Sequence, residues 1–173
     1  MKKPSALKDI VPEIAKTVAL LGPGPSAQLR RDPTRGAGVA AYWRIAAEYD
    51  FNVGDRIMPK FVQIVAILTP RGTVGERSFF SAHKAQMPMG RALYNAGISE
   101  LRLSRFLDMP KPIRSDSAVR ICRRLAGSEH AQFNLLSLAY FLCDAGDRVT
   151  QQIARDYYRA EYSSNQSSDN ETR

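Results

Sequence analysis

Apolar residues recur at intervals of three and four along nearly the whole chain, and nowhere do they alternate with polar ones over the length of a strand. That periodicity admits one fold class, all-α. Ile10, Ile14, Val18 and Leu21 trace one face of a first helix ending at Gly22, and Pro25 starts a short second helix that carries Arg30 and Arg31 and stops at Pro33. A third runs from Gly38 to Tyr49 with Ala41 and Ile45 on its apolar stripe. The segment opened by Pro59 holds Phe61, Val62, Ile64, Val65, Ile67 and Leu68, too apolar all round for a surface helix, and is expected to be surrounded by protein.

Pro70 to Gln86 shows little periodicity and reads as a loop, anchored by Phe79 and Phe80. Pro88 opens the next helix and Gly97 closes it in a left-handed position, after which Ser99 caps a helix from Glu100 to Asp108 that Pro110 and Pro112 terminate. Ser115 or Asp116 then caps a helix to Leu125, Asn134 begins an almost wholly apolar one, and Asp147 caps a final one through Tyr158. From Tyr162 the chain is Ser, Asn, Gln and Asp without apolar repeat, a composition that does not offset its ordering entropy, so residues 162–173 are expected to be a disordered tail. The expected division is two small helical bundles, an N-terminal unit over 1–98 and a C-terminal bundle over 99–161.

The 173 residues are enough for a core that needs neither metal nor disulfide, and Cys122 and Cys143, outside any Cys-x-x-Cys, read as reduced core thiols. Glu13 and Lys16 interrupt what would otherwise be a leader's apolar stretch, and no apolar run approaches the roughly 18 to 20 residues of a membrane span, so the expectation is a soluble, cytoplasmic protein without a membrane partner.

Charge is where function shows. The chain carries a formal +8, and between Leu101 and Arg124 seven cations (Arg102, Arg105, Lys111, Arg114, Arg120, Arg123, Arg124) face only Asp108 and Asp116. An excess of this sign favours anionic partners, nucleic acid first. Arg120, Arg123 and Arg124 stand at i, i+3 and i+4, with Ala118, Ile121, Cys122 and Leu125 on the opposite arc, and Arg102 and Arg105 repeat the pattern beside Leu103, Phe106 and Leu107. A solvated helix face would look much the same. Two features favour phosphate binding instead: few carboxylates are interleaved, and arginine, whose planar fork suits phosphate, is preferred to lysine. Arg30 and Arg31, with Arg35 and Arg44, form a second cluster, whereas Arg71, Arg77 and Lys84 read as loose charge on a solvated loop. Arg148 near a helix start opposes the macrodipole.

Catalytic signatures are missing. There is no Gly-x-x-x-x-Gly-Lys-Ser/Thr, no His-Glu-x-x-His and no Cys-x-x-Cys, and His83 and His130 have no metal-ligand spacing. The prolines of Gly22-Pro-Gly-Pro25 remove the donors a phosphate loop supplies. Glu48, Asp50 and Asp55, or Asp144 with Asp147, suit capping better than metal binding, and Trp43, Tyr42, Tyr140, Tyr157 and Tyr158 fall at helical spacings that suit the core better than base stacking. Neither an enzyme nor a cofactor is expected.

Met89-Gly-Arg-Ala-Leu-Tyr-Asn-Ala-Gly97, continued by Ile98-Ser-Glu-Leu-Arg102 and Phe106-Leu107, resembles the central block of the CasB family, the small subunit of the type I-E CRISPR Cascade complex of antiviral defence. Ser26-Ala-Gln-Leu-Arg-Arg31, Tyr42-Trp-Arg-Ile45 and Ile153-Ala-Arg-Asp-Tyr-Tyr158 resemble further family segments in the same order, so the likeness spans most of residues 26–158. It implies an all-helical, non-catalytic subunit that pairs with a second copy of itself among the other Cascade subunits. Such a subunit supports the guide RNA and target DNA heteroduplex and offers a basic path to the displaced strand, stabilising the R-loop. Arg30, Arg31, Arg56, Arg102, Arg124 and Arg148 match the family's basic positions; the helical wheel adds Arg105, Arg120 and Arg123. The chain departs from the family pattern in a one-residue shortening after Gly97, in the Pro70–Gln86 loop and in its polar tail. The alternatives are a stand-alone helical DNA- or RNA-binding protein and a helical adaptor whose basic face meets an acidic partner protein.

Overall fold

The structure, a computed structural model, describes residues 7–33, 39–51, 55–77, 79–143 and 146–171, with side chains as far as residue 166. Gly38, Arg35 and Asp144 lie outside the described residues. The fold is all-α: α1 Leu7–Ala19, α2 Pro23–Arg30, α3 Ala40–Glu48, α4 Ile57–Leu68, α5 Val74–Arg77, α6 Met89–Asn95, α7 Glu100–Leu107, α8 Lys111–Leu125, α9 Leu135–Leu142 and α10 Asp147–Glu171. No strand occurs among the described residues; one isolated bridge, His83 to Phe133, ties the central loop to the segment before α9.

Helix α4 is the axis of the core. Nine of its residues, Gln63 included, are buried, as its all-round apolar sequence requires. Around it pack α1, α2 and α8, with α3 against α2. A second group forms where α6 lies along α10, joined by α7 and α9, and α9 also meets α1. Two groups therefore exist, but they are not the two halves of the chain. Helix α8 crosses into the N-terminal group and α6 into the C-terminal one, and one continuous apolar cluster from Val11 to Tyr157 runs through both. The expected boundary at Ile98/Ser99 divides the sequence and not the packing, because a helix chooses the face that buries its stripe regardless of chain distance.

Local chemistry explains several helix ends. Gly97, at φ +69°, takes the left-handed position after α6; its N–H donates to Tyr94 O (2.9 Å) and that of Ile98 to Leu93 O (3.1 Å), a Schellman closure with Ile98 buried. Asn134 caps α9, its side chain accepting from Leu136 N at 3.1 Å. Asp55 Oδ1 accepts from the amides of Ile57 and Met58 at the start of α4, the capping role expected of that carboxylate.

Five expectations need correction. Pro110 and Pro112 open α8 rather than merely ending α7, so that helix starts at Lys111 and Ser115 and Asp116 lie inside it; a first turn tolerates proline, whose missing N–H would have had no intrahelical partner. In the central loop, Thr73 and Glu76 form a capping box that starts the single turn α5, Thr73 N donating to Glu76 Oε2 at 2.6 Å. Phe79 anchors nothing, being 99% exposed, while Phe80 packs on the core. Helix α10 runs past Tyr158 to Glu171 where a disordered tail was expected from Tyr162; once α6 and α9 dock its first turns, each further residue adds one hydrogen bond to an existing helix without a new nucleus. Cys122 is buried, its thiol pKa pushed far up by desolvation, but Cys143 is exposed.

Candidate nucleic-acid interface

Helix α8 buries Ala118, Val119, Ile121, Cys122 and Leu125, which turns Arg120, Arg123 and Arg124 outward as the 3.6-residue period requires. Helix α7 does the same with Leu103, Phe106 and Leu107 inside and Arg102 and Arg105 outside. None of these five arginines makes a side-chain hydrogen bond or ion pair with a described residue. The two carboxylates of the stretch are engaged elsewhere: Asp116 Oδ1 meets Lys60 Nζ at 3.2 Å, and Asp108 Oδ2 accepts from Ser104 Oγ at 3.2 Å. Arg105, Arg123 and Arg124 lie in the last turns of their helices, where the macrodipole favours cations by about 0.3–1 kcal/mol. Arg102 and Arg120 have no such support.

Arg114, counted with this charge in the sequence, turns inward. Its Nε donates to Met109 O (3.1 Å), its Nη1 to Phe141 O (3.2 Å), and its guanidinium lies 4.8 Å from the Phe141 ring centroid. Arg30 is likewise held, with Nε on Ala66 O (2.9 Å) and Nη2 on Thr69 O (2.8 Å) and Pro70 O (2.9 Å), so two of its three nitrogens are occupied by the end of α4. Buried Gln63 reinforces the joint by donating from Nε2 to Arg31 O. Burial, then the nearby charges of Arg71 and Arg77, lowers the Arg30 pKa from its ordinary value.

Packing brings together arginines that are far apart in sequence. A cleft of about 550 Å³ between the ends of α4 and α8 is lined by Arg30, Arg71 and Arg123, and Arg30 and Arg71 also line a neighbouring one of about 450 Å³ with Arg31 and Arg77. Arg31 is exposed, as are Arg56 at the start of α4 and Arg148 in the first turn of α10; neither Arg56 nor Arg148 lines these clefts. Tyr42 and Tyr157 belong to the core, whereas Trp43 and Tyr158 are partly exposed, with Tyr158 Oη donating to Glu100 Oε1 at 2.9 Å.

Sequence reasoning missed Arg77. Read as loose loop charge, it is 2% exposed, with Nε on Thr73 O (3.2 Å) and Nη2 on Leu21 O (2.5 Å). The signal available was the Thr73-x-x-Glu76 capping box, which marks a helical turn and so a fixed direction for Arg77. Among the described residues no group of three His, Cys, Asp or Glu is placed to hold a metal, and no helix is long and apolar enough to cross a membrane. No protein-family model, curated protein or solved structure matches the chain.

Proposed function

We propose that this protein is a non-catalytic nucleic-acid-binding subunit whose outward arginines on α7 and α8 contact backbone phosphates without reading bases. The observation that carries the reading is the lack of partners among the described residues for Arg102, Arg105, Arg120, Arg123 and Arg124, since both nearby carboxylates are committed elsewhere. Arginines held for stability turn to carbonyls or rings, as Arg114 does; these five do not. The finer assignment, a Cascade small subunit that supports the guide RNA and target heteroduplex beside a second copy of itself and stabilises the R-loop, is supported by the family resemblance of residues 26–158.

The test is the salt dependence of binding to single-stranded DNA. Replacing Arg120, Arg123 and Arg124 by alanine removes three phosphate contacts, so the slope of log K against log salt becomes shallower by about 2, at about 0.7 per contact. An unchanged slope in a folded triple variant refutes the surface. Co-purification of the tagged protein with a guide RNA and larger subunits tests the Cascade role, and recovery of the chain alone or with an acidic protein overturns it.

A further inference from the structure

The cleft of about 450 Å³ beside α2 is built differently from the arginine surface. Two of its guanidiniums are immobilised by main-chain carbonyls. Arg30 is held through Nε and Nη2 by Ala66, Thr69 and Pro70, and Arg77 through Nε and Nη2 by Thr73 and Leu21. In each case the third nitrogen, Nη1, donates to no described residue, and the Arg77 Nη1 is fully buried. Ser26, which lines the same cleft and is 1% exposed, has a buried hydroxyl with no partner among the described residues. Native proteins rarely leave one such group unsatisfied, and here two stand at one cleft.

The charge is compensated only from the rim, where the exposed Glu76 carboxylate beside Gly72 feels the charge of Arg77. Arg31 and Arg71 complete the lining, no carboxylate belongs to it, and no carboxylate comes within ion-pair distance of Arg77 among the described residues. The acid nearest in sequence, Glu76, is exposed and turned to Thr73, whose amide and hydroxyl both donate to its Oε2. A guanidinium buried beside other cations is costly unless an anion joins it. Arg30, whose pKa is lowered first by burial, registers that repulsion second, through Arg71 and Arg77.

We infer that this cleft is a phosphate-binding site, in which Ser26 Oγ, Arg77 Nη1 and Arg30 Nη1 present fixed donors to a tetrahedral oxyanion and Arg31 and Arg71 close over it. Arginine forks suit phosphate oxygens, and donors fixed in advance lose little freedom on binding. The cleft volume falls in the range of small-molecule sites, larger than one phosphate, so the phosphate arrives attached to a larger body or leaves room for one. Its source is either a free phosphorylated small molecule or the end of a nucleic-acid strand. The site does not rest on the proposed function, whose arginines on α7 and α8 lie outside this lining.

The experiment titrates the full chain with inorganic phosphate by calorimetry, at ionic strength held constant with chloride. Ser26→Ala is expected to weaken phosphate binding about tenfold, and Ser26→Ala with Arg71→Gln about a hundredfold, the losses of a neutral and then a charged hydrogen bond. Neither change removes a partner of another described side chain, and circular dichroism verifies folding. A dodecamer of single-stranded DNA carrying a 5′-phosphate, compared with the same strand ending in a hydroxyl, separates the sources. Tighter binding of the phosphorylated strand that disappears in the double variant assigns the strand end; equal binding of both, with phosphate affinity still dependent on Ser26, assigns a free ligand. Phosphate heats no different from chloride, or equal affinity in wild type and double variant, overturn the site. The triple variant of Arg120, Arg123 and Arg124 keeps its phosphate affinity, so the cleft and the surface fail separately.

Discussion

Gly90→Ala sets two effects of opposite sign against each other at the seam where α6 lies along α10. The glycine is buried, and a Cβ built on it would lie 2.6 Å from Tyr157 N and 3.0 Å from Asp156 Cβ, and closer still to Ile153 O. Two of those three are main-chain atoms of a helix and cannot rotate away. In favour of alanine is its helix propensity, about 1 kcal/mol better than glycine. Against it is the displacement: restoring ordinary contact moves the helix axes apart by roughly an ångström, and a gap of 0.5–1 Å forfeits about a quarter to a half of each dispersion contact along the seam. The contacts at stake include Met89, Leu93, Ile153 and Tyr157, all buried, the Tyr94–Tyr157 ring pair at 5.4 Å, and the 2.6 Å hydrogen bond from Tyr157 Oη to Ile98 O. Overpacking of this kind costs about 1–3 kcal/mol, and with immovable backbone opposite we take the upper end, leaving a net loss of about 2 kcal/mol after the propensity gain.

For a domain of this length each kcal/mol shifts Tm by about 2–4 °C, so Gly90→Ala melts about 4–8 °C lower by calorimetry. Gly75→Ala is the control: a Cβ there meets nothing within 4 Å, so its Tm stays level or rises. A Gly90→Ala protein that melts at or above the wild-type temperature would show that propensity governs the site and that the close approach is not a packing requirement.

Asn134→Ala removes the acceptor of the Leu136 amide and destabilises the fold by about 1 kcal/mol, read as a lower denaturant midpoint at unchanged m; Asn134→Asp restores most of it, and an unaffected midpoint in the alanine variant would count against the cap. His83, half-buried with Nδ1 accepting from Leu135 N at 3.2 Å, is held neutral, its pKa lowered from 6.5 by burial. Because the folded value is the lower one, its contribution is complete at neutral pH and declines as pH falls below about 6.5, where the unfolded chain binds the proton first. An NMR titration placing the His83 midpoint at or above 6.5 overturns this.

The residues that carry the family resemblance have structural reasons for being what they are. In Met89-Gly-Arg-Ala-Leu-Tyr-Asn-Ala-Gly97, Met89, Ala92 and Leu93 are core, Gly90 admits α10, and Gly97 supplies the left-handed closure. Of the block, Arg91, Asn95 and Gly97 are the exposed residues. The block therefore speaks to a helix pairing, and the outward arginines of α7 and α8 have to speak for phosphate. Most local features were legible from residue types alone: the buried α4, the closure at Gly97, the Asn134 cap and the core and cation faces of α8. What was not legible depends on distant partners. Nothing near Pro110 says whether a proline pair ends one helix or begins the next, and nothing in α6 or α8 says that each packs with the other half of the chain.

Net charge was the least reliable guide to the site, for a reason visible in three arginines. Arg30 donates to carbonyls at the end of α4, Arg77 to Leu21 just after α1, and Arg114 to Met109 after α7 and to Phe141 near the end of α9. The last carbonyls of a helix lack intrahelical donors and sit at the negative end of its dipole, so a guanidinium from elsewhere in the chain satisfies both needs at once. A helical protein with short connections has many such ends, and some of its arginines serve them whatever it binds. The charge left for a ligand is what remains after those roles are filled, and the two proposals draw on two forms of it. On α7 and α8 it is outward and without side-chain partners among the described residues, as the proposed backbone contacts require; at Arg77 it is a single leftover nitrogen on a guanidinium already fixed, at a cleft that also holds the Ser26 hydroxyl, as the proposed anion site requires. A screen that neutralises arginines one at a time would therefore merge three phenotypes: lost helix closure, lost salt-dependent affinity and lost phosphate binding. Melting temperature, salt slope and phosphate titration measured on the same variants separate them.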